Sequence, residues 1–319
     1  MDLSFGLQLE PQFGYTKEEI DNISNVVVKN QFDTLWVSDH MFLDTESQGK
    51  SAFDAWTLMT YLVTKYSQLR VGSLVLCNSY HIPSLLAKKI STLDHLSKGR
   101  IEIGYGSGWK EVEYDAYGIK FPSVKERLDM LEEGLDILLK LWSNEDKPSY
   151  SGKYYNLKEA LCFPKPYQKP HPRLWIGSMT GGNRMLRITA KYGDGLNLAW
   201  SFSPEKCQEL FKKLDNNCLK YNRSPADIKR SLGFWTRIYK DENDMEKGLI
   251  QEAEKRKITL DEYKERVAGA LVGTKEQVIQ KLIAYKEIGI THYIFMVPYQ
   301  KEIEYLELFN TSIIPKMLH

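Results

Sequence analysis

Cysteine is scarce in this sequence. Cys77, Cys162, Cys207 and Cys218 are the four in 319 residues, with no CxxC pair and no histidine at metal-ligand spacing. That excludes a disulfide-stapled framework and a zinc ribbon, and reduced thiols in a cytoplasmic protein are the expectation. Long apolar runs are missing too. None approaches the ~18 residues of a membrane span, so no membrane partner is expected. The opening MDLSFGLQLEPQF has neither a basic n-region nor a long apolar core, which argues against a secretion signal. Excess charge is also absent. Lys and Arg number 43 against 42 Asp and Glu, scattered rather than blocked, so no nucleic-acid partner is expected. There is no HExxH, no G-x-S-x-G, no His/Cys cluster and no short-period repeat, hence no case for a metal or a nucleophilic triad.

What the sequence does have is alternation. LSFGLQL, TLWVSD, RVGSLVL, RIEIGYG, PRLWIG, DGLNLAW, IKRSLGFWTRIY and THYIFMV read as strands, and amphipathic helices stand between them. Thr16 with Glu19, and Thr274 with Gln277, are capping boxes at helix starts. Pro83 suits a first helical residue, and Gly99 follows that helix as a stop. The helix from Val124 to Trp142 keeps its apolar residues at steps of four and three. Eight strands alternating with helices imply parallel pairing and favour a (β/α)8 TIM barrel, an α/β fold, over a doubly wound sheet. We expect one domain over 1–319, with insertions at about 144–172 and 239–273 that shape the pocket. Tyr150, Tyr154, Tyr155, Phe163 and Tyr167 in the first suggest either an apolar, ring-containing substrate or solvent-shielding core.

Barrel active sites lie at the carboxyl ends of the strands. The exits carry Gln8 and Glu10 from the first strand, and Ser38, Asp39 and His40 from the second. Cys77, Asn78 and Ser79 leave the third, with His81 beyond. The fourth exit, GYGSGWKEVEY, is not a dinucleotide fingerprint: from Gly104 the sixth position is Trp109, and no acid closes a second strand. Either the glycines Gly104, Gly106 and Gly108 only permit a tight corner, or they let a flat ring lie against bare backbone. Asp39 beside His40 is either a turn residue or an acid that holds the imidazole's tautomer and raises its basicity. GSMTGGNRMLRITAKYG offers a glycine turn into a helix start, an anion site with Arg184 and Arg187 near it, or else an ordinary barrel turn.

With WVSDH, the long block from GSLVLCNSYHIP to LLKLW, PRLWIGSMTGGNRMLRITAKYGDGLN and LVGTKEQVIQKLIAYKEIGITHYIF in view, the chain resembles the luciferase-like monooxygenase superfamily. Its glycine-Trp-acid segment is similar to the branch of probable coenzyme F420-dependent oxidoreductases. The resemblance implies a bacterial luciferase-like barrel, commonly dimeric, with F420 or FMN in its mouth. Asp39 and His40 would lie near the ring's reactive face. Ser73, Leu74 and Asn78 would fall at the third-strand exit, where relatives keep a bulge with a non-prolyl cis peptide. Gly106, Ser107 and Gly108 would pass close to the ring, and Gly177, Ser178, Gly181 and Gly182 would hold the cofactor phosphate.

One departure stands out. In sugar-phosphate dehydrogenases of this superfamily an acid follows the glycine run and donates a proton, whereas here that position is Trp109. Glu111 and Glu113 are the nearest acids, Glu113 being the candidate, and either would have to point into the pocket. The expectation is hydride transfer between F420 and a small organic substrate, with His40 as proton relay or ring-stacking partner. The alternatives are an FMN-dependent monooxygenase fed by a flavin or F420 reductase, and a non-catalytic flavin-binding barrel.

Overall fold

The computed structural model describes residues 3–30 and 32–318. Eight strands form the barrel: β1 (Ser4–Leu9), β2 (Thr34–Val37), β3 (Arg70–Cys77), β4 (Ile101–Gly106), β5 (Leu174–Ser178), β6 (Gly195–Trp200), β7 (Lys229–Tyr239) and β8 (His292–Met296). Each pairs in parallel with its neighbours, and the ring closes through β6–β7, β7–β8 and β8–β1. The eight segments read from the alternation are these eight strands.

The crossover helices start where the sequence has caps. α1 (Lys17–Lys29) opens on the Thr16/Glu19 capping box and buries Ile20, Ile23 and Val27. α2 (Ala55–Lys65) follows Asp54, whose side chain accepts the Thr57 N–H. α3 (Pro83–Leu96) starts on proline, and α4 (Glu111–Ala116) is the short helix after the glycine run. α5 (Val124–Trp142) opens on a Ser123/Glu126 capping box and buries Leu131, Leu135 and Leu138. α6 (Asn183–Tyr192) packs on β5 and β6, and α7 (Pro204–Lys220) packs on α6. Burial of each such leucine stabilises the fold by about 1.5–3 kcal/mol.

Trp36 and Trp175 fill the barrel's centre, their rings edge-to-face with centroids 6.0 Å apart. Below them the amino end is sealed by polar groups that satisfy one another. Glu102 accepts the Trp175 indole N–H at 2.8 Å and pairs with Arg70 at 2.6 Å and Arg173 at 3.0 Å. His292 accepts the Trp36 indole N–H at 3.1 Å on Nε2 and faces the Ser4 hydroxyl at 2.5 Å with Nδ1. Burial holds the His292 ring down to about 4, so it stays neutral.

Two segments depart from the alternation. After α5, a ribbon pairs Tyr150–Ser151 with Asn156–Leu157, and the Glu133 carboxylate pins it by accepting the N–H groups of Lys153, Tyr154 and Tyr155 at 2.8, 3.0 and 3.1 Å. It runs along the flank of α3, where Gln168 bonds Asp94. After β7, α8 (Glu242–Arg256) and α9 (Leu260–Arg266) build a satellite core around Leu249, Ala253, Tyr263 and Val267. Among the described residues no helix is long and apolar enough to cross a membrane.

Candidate active site

The carboxyl ends of the strands open on a cavity of about 610 Å³, within the range of small-molecule sites. Its floor comes from β3. The register between β3 and β4 shifts between Ser73 and Leu76, and the Leu74–Val75 peptide is cis. This is the feature the resemblance implies for that exit. The Ser73 hydroxyl donates to the Gly104 carbonyl at 2.9 Å and accepts the Gly104 N–H at 3.0 Å, clamping β3 to β4. Leu74 and Val75 then rise into the barrel mouth.

The glycines make room for that bulge. A Cβ at Gly106 or Gly177 would stand 2.7 Å from a Val75 methyl, and one at Gly104 would strike the Ser73 carbonyl. These positions admit Val75 between the ends of β4 and β5, so that Val75 forms a small apolar platform. Val75 lines the cavity together with Gly106 and Gly177.

Beside the platform the acids and histidines are cross-paired. His40 Nδ1 faces both Glu113 oxygens, at 3.1 and 3.0 Å. Asp39, the sequence neighbour expected to hold that ring, instead accepts the Cys77 N–H at 2.8 Å and faces His81 Nε2 at 3.0 Å. The partner comes from another element: α4 brings Glu113 to the imidazole. Glu113 also accepts the Met41 N–H at 3.0 Å, the Tyr80 hydroxyl at 2.9 Å and the Lys110 ammonium at 3.1 Å. Burial alone would raise its carboxyl, but the hydrogen bonds and charges of His40 and Lys110 outweigh burial and hold it at about 2. Glu113 is thus placed to anchor the His40 ring. Its side chain is fully buried while that of His40 keeps 22% exposure and lines the cavity.

The opposite wall is the loop after β5. Ser178 accepts the Gly181 N–H at 3.1 Å and closes a turn in which Gly181 takes φ +64°. Gly182 caps α6 with no side-chain cap and no acid in the first turn. Only the Thr180 hydroxyl, at 3.5 Å, stands near where its Cβ would be. The first N–H groups of α6 thus remain available beside the cavity, which Ser178, Thr180 and Gly182 line, and an anionic cofactor group fits there. Arg184 is not free to assist. Its guanidinium binds Glu132 at 2.9 Å and Asp129 at 2.5 Å.

Of the sequence candidates, Asp39, His40, Leu74, Gly106, Ser107, Gly108, Gly177, Ser178 and Gly182 line the cavity. Ser73, Asn78, Glu113 and Gly181 stand behind it. Asn78 accepts the Tyr105 hydroxyl at 2.6 Å and donates to Tyr155 at 3.2 Å. Neither insertion contributes a lining residue, which corrects the expectation that they shape the pocket. Tyr150 and Tyr155 pack on the main core while Phe163 and Tyr167 point outward. The aromatic density is thus the shielding alternative.

Sequence reasoning missed Val75, Lys110 and Tyr80. Val75 carries no chemical signature and Tyr80 lies between the exit residue Ser79 and His81. Lys110 beside two acids was the one legible signal. It also left Glu10 unassigned, although Glu10 lines the cavity and accepts Gln8 Nε2 at 3.0 Å and the Gln12 amide.

The family profile described as luciferase-like monooxygenase matches residues 29–292 of this chain. The F420-dependent glucose-6-phosphate dehydrogenase of Amycolatopsis mediterranei (strain U-32) is 25% identical, covering 89% of this chain and 90% of that protein. Among solved structures, an F420-dependent secondary alcohol dehydrogenase in complex with an F420-acetone adduct superposes with a TM-score of 0.83 at 19% identity, covering 99% of both chains. The monooxygenase RslO1 from Streptomyces bottropensis superposes with a TM-score of 0.78 at 19% identity, covering 99% of this chain and all of that one.

Proposed function

The chain belongs to the luciferase-like monooxygenase family, and on that premise we propose that it is an oxidoreductase passing hydride between the deazaflavin coenzyme F420 and a small organic substrate. The observation that carries this reading is the His40–Glu113 pair standing beside the Val75 platform, with the imidazole lining the cavity. The relatives named as F420-dependent support the choice of cofactor.

A bound deazaflavin supplies a carbon centre that accepts or gives hydride and resists oxygen. Leu74, Val75, Gly106 and Gly177 would seat its ring, and Ser178, Gly182 and the start of α6 its phosphate. Glu113 fixes the His40 ring through Nδ1 and stabilises the imidazolium. Nε2 is then poised to take the substrate's hydroxyl proton as hydride leaves, or to return it in the reverse direction. Asp39 holds His81 and the β3 exit, which keeps the neighbouring His40 in place. Tyr80 and Lys110 complete the shell around Glu113, and burial pushes the Cys77 thiol up to about 12, which keeps it inert.

The second reading is an FMN-dependent monooxygenase supplied by a partner reductase, favoured by the similarity to the Streptomyces bottropensis monooxygenase. We further read the chain as one cytoplasmic domain, consistent with four free, buried cysteines. A homodimer is supported by α3 and the residue before it, where Ile82, Leu85 and Leu96 are exposed at 60%, 57% and 63%.

The direct test replaces His40 with Ala and measures hydride transfer and F420 affinity separately. The proposal expects transfer to fall about 10²–10⁴-fold with affinity within roughly threefold. Unchanged values for both would remove His40 from the mechanism.

A further inference from the structure

We infer that the substrate of this site is an uncharged, largely apolar alcohol or its carbonyl partner, and that phosphorylated sugars are refused. This rests on the F420 reading above and names the substrate class of the same site.

Recognition of a phosphate ester needs cations or N–H donors that are free to turn to it. Among the described residues three basic side chains line the cavity: His40, Lys110 and Arg184. Lys110 gives its ammonium protons to the Phe42 carbonyl, to Leu43 O at 2.7 Å and to Glu113 at 3.1 Å. Arg184 gives its own to Glu132 at 2.9 Å, Asp129 at 2.5 Å and the Lys125 carbonyl at 3.3 Å. His40 has Nδ1 on Glu113, which leaves a single N–H or lone pair at Nε2, enough for one hydroxyl. Drawing Lys110 away would strip a cation from a fully buried carboxylate, a costly exchange. The start of α6 is occupied by the cofactor's own phosphate under the reading above. Meanwhile Glu10 and Asp39 also line the cavity, so a dianion would meet two further carboxylates and no free cation.

The rim has the opposite character. Trp109, Val124 and Met179 are 57%, 64% and 54% exposed, and Leu43, Leu128 and Met185 continue the apolar wall inward. Trp109 stands edge-to-face on His40, ring centroids 5.7 Å apart. Where an acid was expected, an apolar face therefore adjoins the imidazole. A hydroxyl bound at Nε2 would leave the rest of its molecule on Trp109 and Met179, removing apolar surface from water at about 25 cal/mol per Å².

The step balances as alcohol oxidation. With oxidised F420 bound as the two-electron acceptor, the carbinol C–H bond would break as hydride leaves, the O–H proton would go to His40 Nε2, and the C=O bond would form. Two electrons move from the alcohol to the cofactor.

The test uses F420-loaded enzyme without oxygen and the pair cyclohexanol and cyclohexyl phosphate, with glucose 6-phosphate as a second charged probe. Binding is followed by calorimetry and F420 reduction by absorbance. We expect cyclohexanol to bind and to reduce F420 with kcat/KM at least 100-fold above either phosphate. In Trp109→Ala, KM for cyclohexanol should rise about tenfold with kcat within roughly threefold. Equal or better binding or turnover of either phosphate would overturn the inference, as would cyclohexanol neither binding nor reacting while F420 stays bound. Failure of F420 itself to bind is seen separately, and would overturn the cofactor reading and this inference together.

Discussion

Each end of the barrel holds a histidine near a buried carboxylate, and the two are built in opposite ways. At the amino end both His292 nitrogens are engaged, by Ser4 and Trp36, and Glu102 is saturated by Arg70, Arg173 and Trp175. At the carboxyl end Glu113 is equally saturated, but among the described residues His40 has a partner on one nitrogen only, and it lines a cavity. Residue type and a nearby acid are common to both. What separates plug from site is the hydrogen-bonding capacity left unused at the edge of open space.

The sharpest way to break this comparison is a matched pair of variants. His40→Ala should lower hydride transfer about 10²–10⁴-fold with little loss of thermal stability. His292→Ala should cost roughly 2–4 kcal/mol of stability while the folded fraction keeps its rate. Denaturant melts and single-turnover kinetics on both proteins read this directly, and a rate loss in His292→Ala with stability intact would erase the distinction.

Next in size is Glu113→Gln, which keeps the shape but removes the charge under His40. A loss of about 10–100-fold in hydride transfer is expected, with F420 affinity nearly unchanged. Gly177→Ala should follow, because its Cβ would stand 2.7 Å from Val75. Displacing the platform should weaken F420 binding about tenfold and cost roughly 1–3 kcal/mol in stability.

The smallest effect separates the two ends by pH. His292 is lowered from 6.5 to about 4 by burial, so the stability of its neutral form is complete above pH 6.5 and is lost as pH falls towards 4. Glu113 is lowered from 4.5 to about 2 because His40 and Lys110 outweigh its burial, so its contribution is complete above pH 4.5 and is lost towards 2. Each is on the order of 1–3 kcal/mol. Acid melts should show the amino end failing first. His292→Ala should remove the upper slope and Glu113→Gln the lower one.

The barrel was legible because strand and helix periods alternate through all eight units, apart from the two insertions, and the helix starts carry their caps. The exits were legible as well, since parallel strands send chemistry to one end. Pairing within the site was not. Asp39 adjoins His40 in sequence yet serves His81, and Glu113, 73 residues from His40, is its partner. The glycines were noticed for the right region, but Val75, which requires them, is an ordinary strand residue by type. The insertions misled because their aromatic content reads the same whether it faces a pocket or a flank.

Whether this cavity is a deazaflavin site is decided most directly by equilibrium titration of the purified protein with oxidised F420 and, separately, with FMN. The account predicts F420 binding in the micromolar range or tighter, at least tenfold tighter than FMN, and weakened in Gly177→Ala. Tighter binding of FMN, or no binding of either better than millimolar, would contradict it.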